Sequence, residues 1–512
     1  MSFETNKFNV VKKKKLEKST FNVECNVENS VEIDKILSVC HTSQADSAEI
    51  LNGVVNYVGY IDLCIVYLTV DGEIGTINAS CPFTSKFEDN MIMVGDKVCI
   101  SVEVEDYSVE SVTSSNIKIS CACEQSAMLV LSRGVETILT GDDDICLKTD
   151  EILVNTLVGE AKDMFTIESN FSIKEPIRKI ISSDSQVCVK AVESGVNFVS
   201  VSGEVVTRLL YLTENDRFET SYVTDNFKEE VELEGVTRES VSEAMTTVRK
   251  SSVKCEIETA EKGVEVRVIV PIDVKVVAYT EKSETVIKDI YSTKCELEVS
   301  TISFEMSKQL ASEFYEEKID GTLTLDDNKP RVDKIMFVGG SNIVVTNSYV
   351  KEGEFFVEGV TKTNVIYLND ETNSLHSVVV EVPFVVSDKT DAEDGAQVSV
   401  KVALIDVDVV VKKGREFYFD AKLKIIAEFS CDEIGAVIST VETAGEFGER
   451  DCAIELVFAH AGQTAWDVAK SIKVKEENVI YQNPDLVFPL EKDENIVVFH
   501  KAQSFDSQGE NV

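Results

Sequence analysis

Groupings of residues able to do chemistry are few in this chain of 512 residues. Four histidines (His41, His376, His460 and His500) are scattered, and only the last two share one short segment. A histidine that ligates a metal or moves a proton needs partners close by, so surface or strand positions are expected for all four. Gly141-Asp142-Asp143-Asp144 suggests a calcium turn. The fifth position of a loop starting at Asp142 is however Cys146, where an EF-hand needs an oxygen ligand. A solvated acidic turn is the better reading. There is no G-x-x-x-x-G-K-[ST] loop for a nucleotide phosphate, no G-x-S-x-G elbow and no H-E-x-x-H pair. With 91 acidic residues, paired carboxylates arise everywhere and argue nothing for glycoside hydrolysis. The expectation is a protein without catalytic residues, cofactor or bound metal.

What remains is a recognition constellation near the C-terminus. Leu456, Val457 and Phe458 make a short apolar strand, and Gly462-Gln463-Thr464 a turn that opens a helix. Thr464 is placed to be the N-cap, with Asp467 three residues on completing a variant capping box. Ala465, Trp466, Val468, Ala469 and Ile472 then recur at helical spacing. A second helix through Glu476 to Tyr481 ends at Asn483-Pro484, because proline disfavours helix in the residue before it. Ile496 to Phe499 form a closing strand. This strand-helix-helix-strand order, with GQT-x-W-DVA and a later NP, resembles the LysM module. That resemblance implies a groove between the loop after the first strand and the loop after the second helix. Its candidate partner-binding residues here are Gly462, Gln463, Thr464 and Trp466 on one side, and Asn483, Pro484, Asp485 and Leu486 on the other. Gln463 stands where that family usually has Asp, and Ala465 where it usually has Leu. The groove has few aromatics to stack on a sugar. Trp466, the one tryptophan, has two readings: it holds a small core together, or it anchors an interface.

The elements that must position these residues carry a formal net charge of -41. A surface this acidic repels nucleic-acid phosphates and anionic headgroups, so no nucleic-acid partner is expected and any membrane association is indirect. Lys12 to Lys15 is the one basic run, and residues 1–17 read as a mobile basic arm. The first twenty residues hold no apolar core of signal-peptide length, and no later stretch could span a bilayer. The 13 cysteines include no C-x-x-C pair, which fits a reducing compartment, the cytoplasm.

Before residue 455 the text is dominated by alternation, as in VEVRVIVPIDVKVVAY (264–279) and VSVKVALIDVDVVV (398–411). Period-two runs rich in valine and isoleucine predict half-buried antiparallel strands. They belong to a repeat. Ile33-Asp-Lys-Ile36, Ile177-Arg-Lys-Ile180 and Val332-Asp-Lys-Ile335 share one pattern. Gly59, Gly203 and Gly359 each stand eight residues before a Tyr-Leu pair: Tyr67-Leu68, Tyr211-Leu212 and Tyr367-Leu368. A phenylalanine follows the tyrosine 16 or 17 residues later, as Phe83, Phe227 and Phe384. The glycine is expected to mark a bulge or a close approach, and the tyrosine a half-buried cross-strand neighbour.

The fold expected is mainly β. Three antiparallel β domains at 18–160, 161–300 and 320–440 precede a small α+β unit at 454–502. Met306, Leu310 and Phe314, four apart, predict an amphipathic connecting helix over 301–319. Residues 441–453 read as a flexible linker holding the last unit at a distance, and 503–512 as a disordered tail.

The repeat resembles the SPOCS domain of spore-forming bacteria, carried by the I-x-K-I, the Gly-to-Tyr-Leu spacing, the Pro-Phe pairs and the alternating strands. SPOCS-like copies ahead of one LysM-like module resemble the family of clostridial spore-coat morphogenetic proteins. The family implies a non-enzymatic scaffold in the mother-cell cytoplasm, at the forespore surface. There it helps a spore morphogenetic ATPase of the SpoIVA type encase the forespore, with the LysM module as the contact. The β domains could also self-associate or bind other coat proteins. The alternative is a glycan-binding LysM protein for peptidoglycan or chitin, or an accessory of a wall hydrolase.

Overall fold

A computed structural model describes residues 3–448 and 452–500, apart from 114, 216, 261–262, 370–371 and 373. The expected disordered tail at 503–512 lies outside the described residues.

Three β domains are built to one plan. In each, a meander of three strands packs on a second sheet centred on one long strand. The meanders are Ile33–Leu51, Val54–Thr69 and Ile74–Glu88; Ile177–Ser194, Phe198–Thr213 and Phe218–Glu232; and Val332–Lys351, Glu354–Asn369 and Leu375–Lys389. The long central strands are Asn116–Thr140, Gly263–Ser292 and Glu416–Glu446. Each is flanked by the strand that opens its repeat and, on the other side, by the strand before it, all antiparallel. Alternate residues from both sheets close on one another, and each sandwich has its own apolar core.

The repeated motif is a piece of sheet geometry. Lys35, Lys179 and Lys334 pair across the meander with Leu68, Leu212 and Leu368, and the isoleucine of each motif pairs with the tyrosine. Gly59, Gly203 and Gly359 lie directly opposite Phe83, Phe227 and Phe384. On the other flank of each glycine the neighbouring strand carries a bulge. A Cβ on these glycines would stand 2.4, 2.1 and 2.5 Å from the carbonyl oxygens of Gln44, Cys188 and Val344, and within 3 Å of the facing ring. Backbone and phenylalanine both close over the glycine, so no side chain fits. The tyrosines are buried, deeper than expected.

The three sandwiches are fastened to one another. Leu37 and Val66, Ile181 and Leu210, and Met336 and Ile366 meet in one apolar cluster drawn from equivalent positions of the meanders. The motif lysines reach between repeats: Lys179 Nζ donates to Ile74 O (2.8 Å), and Lys35 to the carbonyl of Leu375. Near this junction Lys250 Nζ lies 2.9 Å from Asp184, with their side chains 8% and 3% exposed, and Gly340 N–H donates to the same carboxylate. Burial pushes Asp184 up, and the Lys250 ammonium outweighs it, so the carboxyl stays below the usual range. Lys250 reaches this place because the hairpin strand of the second repeat breaks into Val241–Val248 and Lys254–Ala260 around a single 3-10 turn.

Four expectations about the chain's divisions need correction. The basic arm is a strand: Glu4–Lys15 pairs with Asn116–Thr140 and, with Ser19–Glu28, forms the interrupted opening strand of the first repeat. Phe8, Val10, Val11 and even Lys13 are buried. A lysine run is held there because all three repeats supply counter-charges: Lys12 pairs with Glu305, Lys13 with Glu243, and Lys14 with Asp89 (2.7 Å). The expected helix at 301–319 is the middle of the strand Cys295–Thr324, paired along its length with Glu416–Glu446. A spacing of four is one helical turn but also two strand periods, and only the pairing partner decides between them. Phe304 and Met306 face inward on the strand period, whereas Phe314 is exposed. Domain limits shift accordingly, with Ile145–Ile173 opening the second repeat and Cys295–Thr324 the third. Finally, the start of the expected linker, through Glu446, continues the last long strand. The C-terminal unit is not held at a distance.

Candidate functional site

The C-terminal unit is a βααβ arrangement: strands Ile454–Ala459 and Glu494–Phe499 pair antiparallel, with helices α1 (Ala465–Ile472) and α2 (Glu476–Gln482) between them. Thr464 caps α1 as expected. Its Oγ1 accepts from Asp467 N (3.2 Å) and its N–H donates to Asp467 Oδ2 (2.8 Å), completing the capping box. The bonds that the Thr464 N–H and hydroxyl donate to the Asp467 carboxylate also hold it below the usual range. Lys473 ends α1 in the left-handed region at φ 57°.

The candidate groove residues divide into internal parts and exposed parts. Gly462 turns the chain at φ +89° and donates to Leu490 O (2.7 Å). Gln463 Oε1 accepts from His460 N (2.8 Å), closing the same turn on itself. Asn483 is a clamp: its Nδ2 donates to Val479 O (3.0 Å) and Val497 O (2.9 Å), and its Oδ1 accepts from Val497 N (3.1 Å). Gln482 does the same for Phe499. Gln463 Oε1, the Thr464 hydroxyl and the Asn483 side-chain amide are therefore bonded within the unit. Pro484 and Asp485 are exposed, and Leu486 packs partly on the core.

Trp466 decides how the unit sits on the rest of the chain. Only 4% exposed, it packs at the joint between the βααβ core and the second β domain. Its Nε1–H donates to Asp289 Oδ2 (2.8 Å), and its ring meets Tyr291 edge-on at 4.8 Å. Tyr291 Oη donates to Val474 O (2.7 Å), and Lys470 Nζ reaches Asp289 at 2.5 Å. Burial pushes Asp289 up, but the bonds from Lys470 and Trp466 bring the carboxyl below its ordinary value. Trp466 thus belongs both to the core of the unit and to its seam with the chain's own second repeat. Cys146, next to the acidic turn at Asp142–Asp144, packs on the same joint.

His460 and His500, which share this unit, are not brought together. They follow opposite ends of the two paired strands, roughly 17–20 Å apart at the rise of a strand. His460 meets Asp493 (3.6 Å) and Phe458, whereas His500 Nε2 lies 2.9 Å from Glu455.

Two stretches of the chain, 32–112 and 318–412, match the family model of the SipL SPOCS domain. Both stretches are similar to the SPOCS domain. No curated protein sequence matches it significantly. The matched stretches fall in the first and third β domains and include the motif lysine, the glycine, the Tyr-Leu pair and the phenylalanine of each. The second domain lies outside both, yet its motif residues pair in the same cross-strand register.

What the sequence did not single out beyond these β repeats is the exposed apolar surface of the βααβ unit. Ile454, Leu456 and Phe458 point outward from the first strand, with Phe499 from the second. Tyr481 (85% exposed), Ile480 and Val487 stand beside the Pro484-Asp485 turn. A two-stranded sheet with helices on one face leaves its other face to solvent, so period-two alternation at 454–458 is itself the signal. No helix among the described residues is long and apolar enough to cross a membrane.

Proposed function

We propose that this protein is a non-enzymatic scaffold of spore-coat assembly. Its C-terminal unit is a LysM-type module that holds a spore morphogenetic ATPase of the SpoIVA type on the forespore surface, in the mother-cell cytoplasm. The SPOCS matches supply the sporulation context. The observation that carries the docking role is the exposed apolar side of the βααβ unit, beside turns in which Gln463 Oε1 and the Asn483 amide are already paired internally. A sugar is read by convergent free polar groups and stacking rings, whereas a protein is read by an apolar patch with a polar rim. The partner takes the exposed side of the candidate turns: Pro484 and Asp485, with Tyr481 and Val487 alongside.

The test uses full-length protein as bait for the purified ATPase. Tyr481→Ala combined with Val487→Ala should weaken capture at least about tenfold, as expected for exposed anchors at an interface centre, while leaving the emission of buried Trp466 unchanged. Equal capture by the double variant would remove this surface from the contact. Capture of chitin oligomers or peptidoglycan with no capture of the ATPase would move the reading to glycan binding.

A further inference from the structure

Three donor side chains of different chemistry converge where the chain enters and leaves the βααβ unit. Cys452 stands two residues before the first strand, Glu455 is that strand's second residue, and His500 follows the last strand. Register brings them together: Ile454 lies opposite Phe499, and His500 N–H donates to Ala453 O (2.9 Å). Cys452 Sγ, a Glu455 carboxylate oxygen and a ring nitrogen of His500 all lie within 4.8 Å of one another, the one such grouping among the described residues.

We propose that Cys452, Glu455 and His500 form a binding site for a divalent cation of the zinc class. A thiolate, an imidazole and a carboxylate are the three donor types zinc takes, at about 2.3, 2.0–2.1 and 2.0–2.2 Å respectively. Donors on such a tetrahedron stand about 3.3–3.6 Å apart, so the three need only small side-chain adjustments. The closest pair, His500 Nε2 and Glu455 Oε2 at 2.9 Å, must part by about half an ångström to admit the ion. Calcium and magnesium take oxygen ligands, which a thiol and an imidazole do not provide. Water would complete the fourth position. Binding replaces the proton of the Cys452 thiol by the metal and releases that proton to solvent. Glu455 and His500 are half-buried, which shelters one side of the site, while Cys452 opens to solvent and leaves an entry path. Cys452 is also the one exposed cysteine of the 13, all of which are free thiols. The remaining cysteines are buried or half-buried. A bound ion would cross-link the first and last turns of chain in the unit, clamping the end of the two-stranded ladder where fraying begins.

The experiment uses the full chain, stripped with a chelator, kept reduced with a phosphine and titrated with cobalt(II) chloride. One equivalent should produce a thiolate-to-cobalt charge-transfer absorption, and zinc chloride should displace it. Cys452→Ser should abolish the band. His500→Gln should weaken cobalt binding by more than the 10–100-fold typical of losing an outer-shell partner. Independently, zinc should slow alkylation of Cys452 in the unmodified chain, read by peptide mass spectrometry. That arm decides the matter even if a variant misfolds. No band at one equivalent, an undiminished band in the Cys452→Ser protein, or an alkylation rate indifferent to zinc would each overturn the proposal.

Discussion

Replacing Asp289 by alanine should release the C-terminal unit from the second β domain. Two bonds from the C-terminal unit end on this carboxylate, from Trp466 Nε1 at 2.8 Å and Lys470 Nζ at 2.5 Å. A hydrogen bond to a charged acceptor contributes about 1.5–3 kcal/mol. The Lys470 pair adds less than about 1 kcal/mol, because both of its side chains are a third or more exposed. A loss of about 2–3 kcal/mol shifts the docked-to-free ratio by a factor of roughly 30–150. The Tyr291–Trp466 contact remains and opposes release by about 0.5–1.5 kcal/mol. Because the chain has one tryptophan, its emission reports Trp466 alone. Urea titrations of the Asp289→Ala protein should show an emission maximum shifted to the red, or an earlier fluorescence midpoint, while the far-ultraviolet dichroism of the β domains keeps its midpoint. A double-mutant cycle with Trp466→Phe, read by amide hydrogen exchange in the C-terminal unit, should return a coupling of about 1.5–3 kcal/mol, since phenylalanine keeps a ring and loses the N–H. If emission and midpoint match the unmodified protein, or the two changes add within about 0.5 kcal/mol, the docking account is wrong.

Three further outcomes are expected. Lys13→Met strands Glu243, removes the bond to Gln309 (2.9 Å) and takes the ammonium away from the Tyr279 ring, 4.2 Å distant. It should cost about 3 kcal/mol in urea unfolding, and an unchanged midpoint would restore residues 1–17 to a free arm. Gly203→Ala forces a Cβ to 2.1 Å from Cys188 O and should destabilise by about 2 kcal/mol or more. Gly445→Ala, with nothing within 4 Å, should stay within about 0.5 kcal/mol; equal effects at the two sites would undo the close-approach argument. His41 is pushed down to about 3, first by burial and then by the Lys250 and Lys362 charges. Its folded value lies below the unfolded value of about 6.5, so the unfolded chain takes up the extra proton. Its contribution is therefore complete above about pH 6.5 and is lost as pH falls towards 3, by at most about 1.4 kcal/mol per unit. Unfolding midpoints of His41→Asn should fall less steeply between pH 6.5 and 4 than those of the unmodified chain, and parallel slopes would contradict this.

Much of the architecture was legible in the residues because its signals are local. Alternation declares strands, and the Thr464–Asp467 box declares a helix start. The Gly-to-Tyr-Leu-to-Phe spacing declares a repeat, because each of those residues answers to its nearest cross-strand neighbour. The Gly203–Phe227 pairing is the physical content of a spacing that could be read without knowing what it was for. Where a local pattern fits two structures, sequence misleads: Met306 and Phe314 sit at a multiple of both periods, and only the partner strand Glu416–Glu446 excludes the helix.

Features decided by distant partners could not be read at all. Lys12 to Lys14 looked like a solvated run until Glu305, Glu243 and Asp89, from three different repeats, were folded around it. Trp466 was visible as important, yet whether it faced a core or a partner depended on Asp289 and Tyr291, about 180 residues earlier. Cys452, Glu455 and His500 carry no motif spacing, since the third donor follows the second by 45 residues. The sequence by itself determined the β repeats, their count and the βααβ unit behind them, through periodicity and turn chemistry. Tertiary structure alone decided what those units press against, because charge pairing and burial depend on which distant segments share a surface.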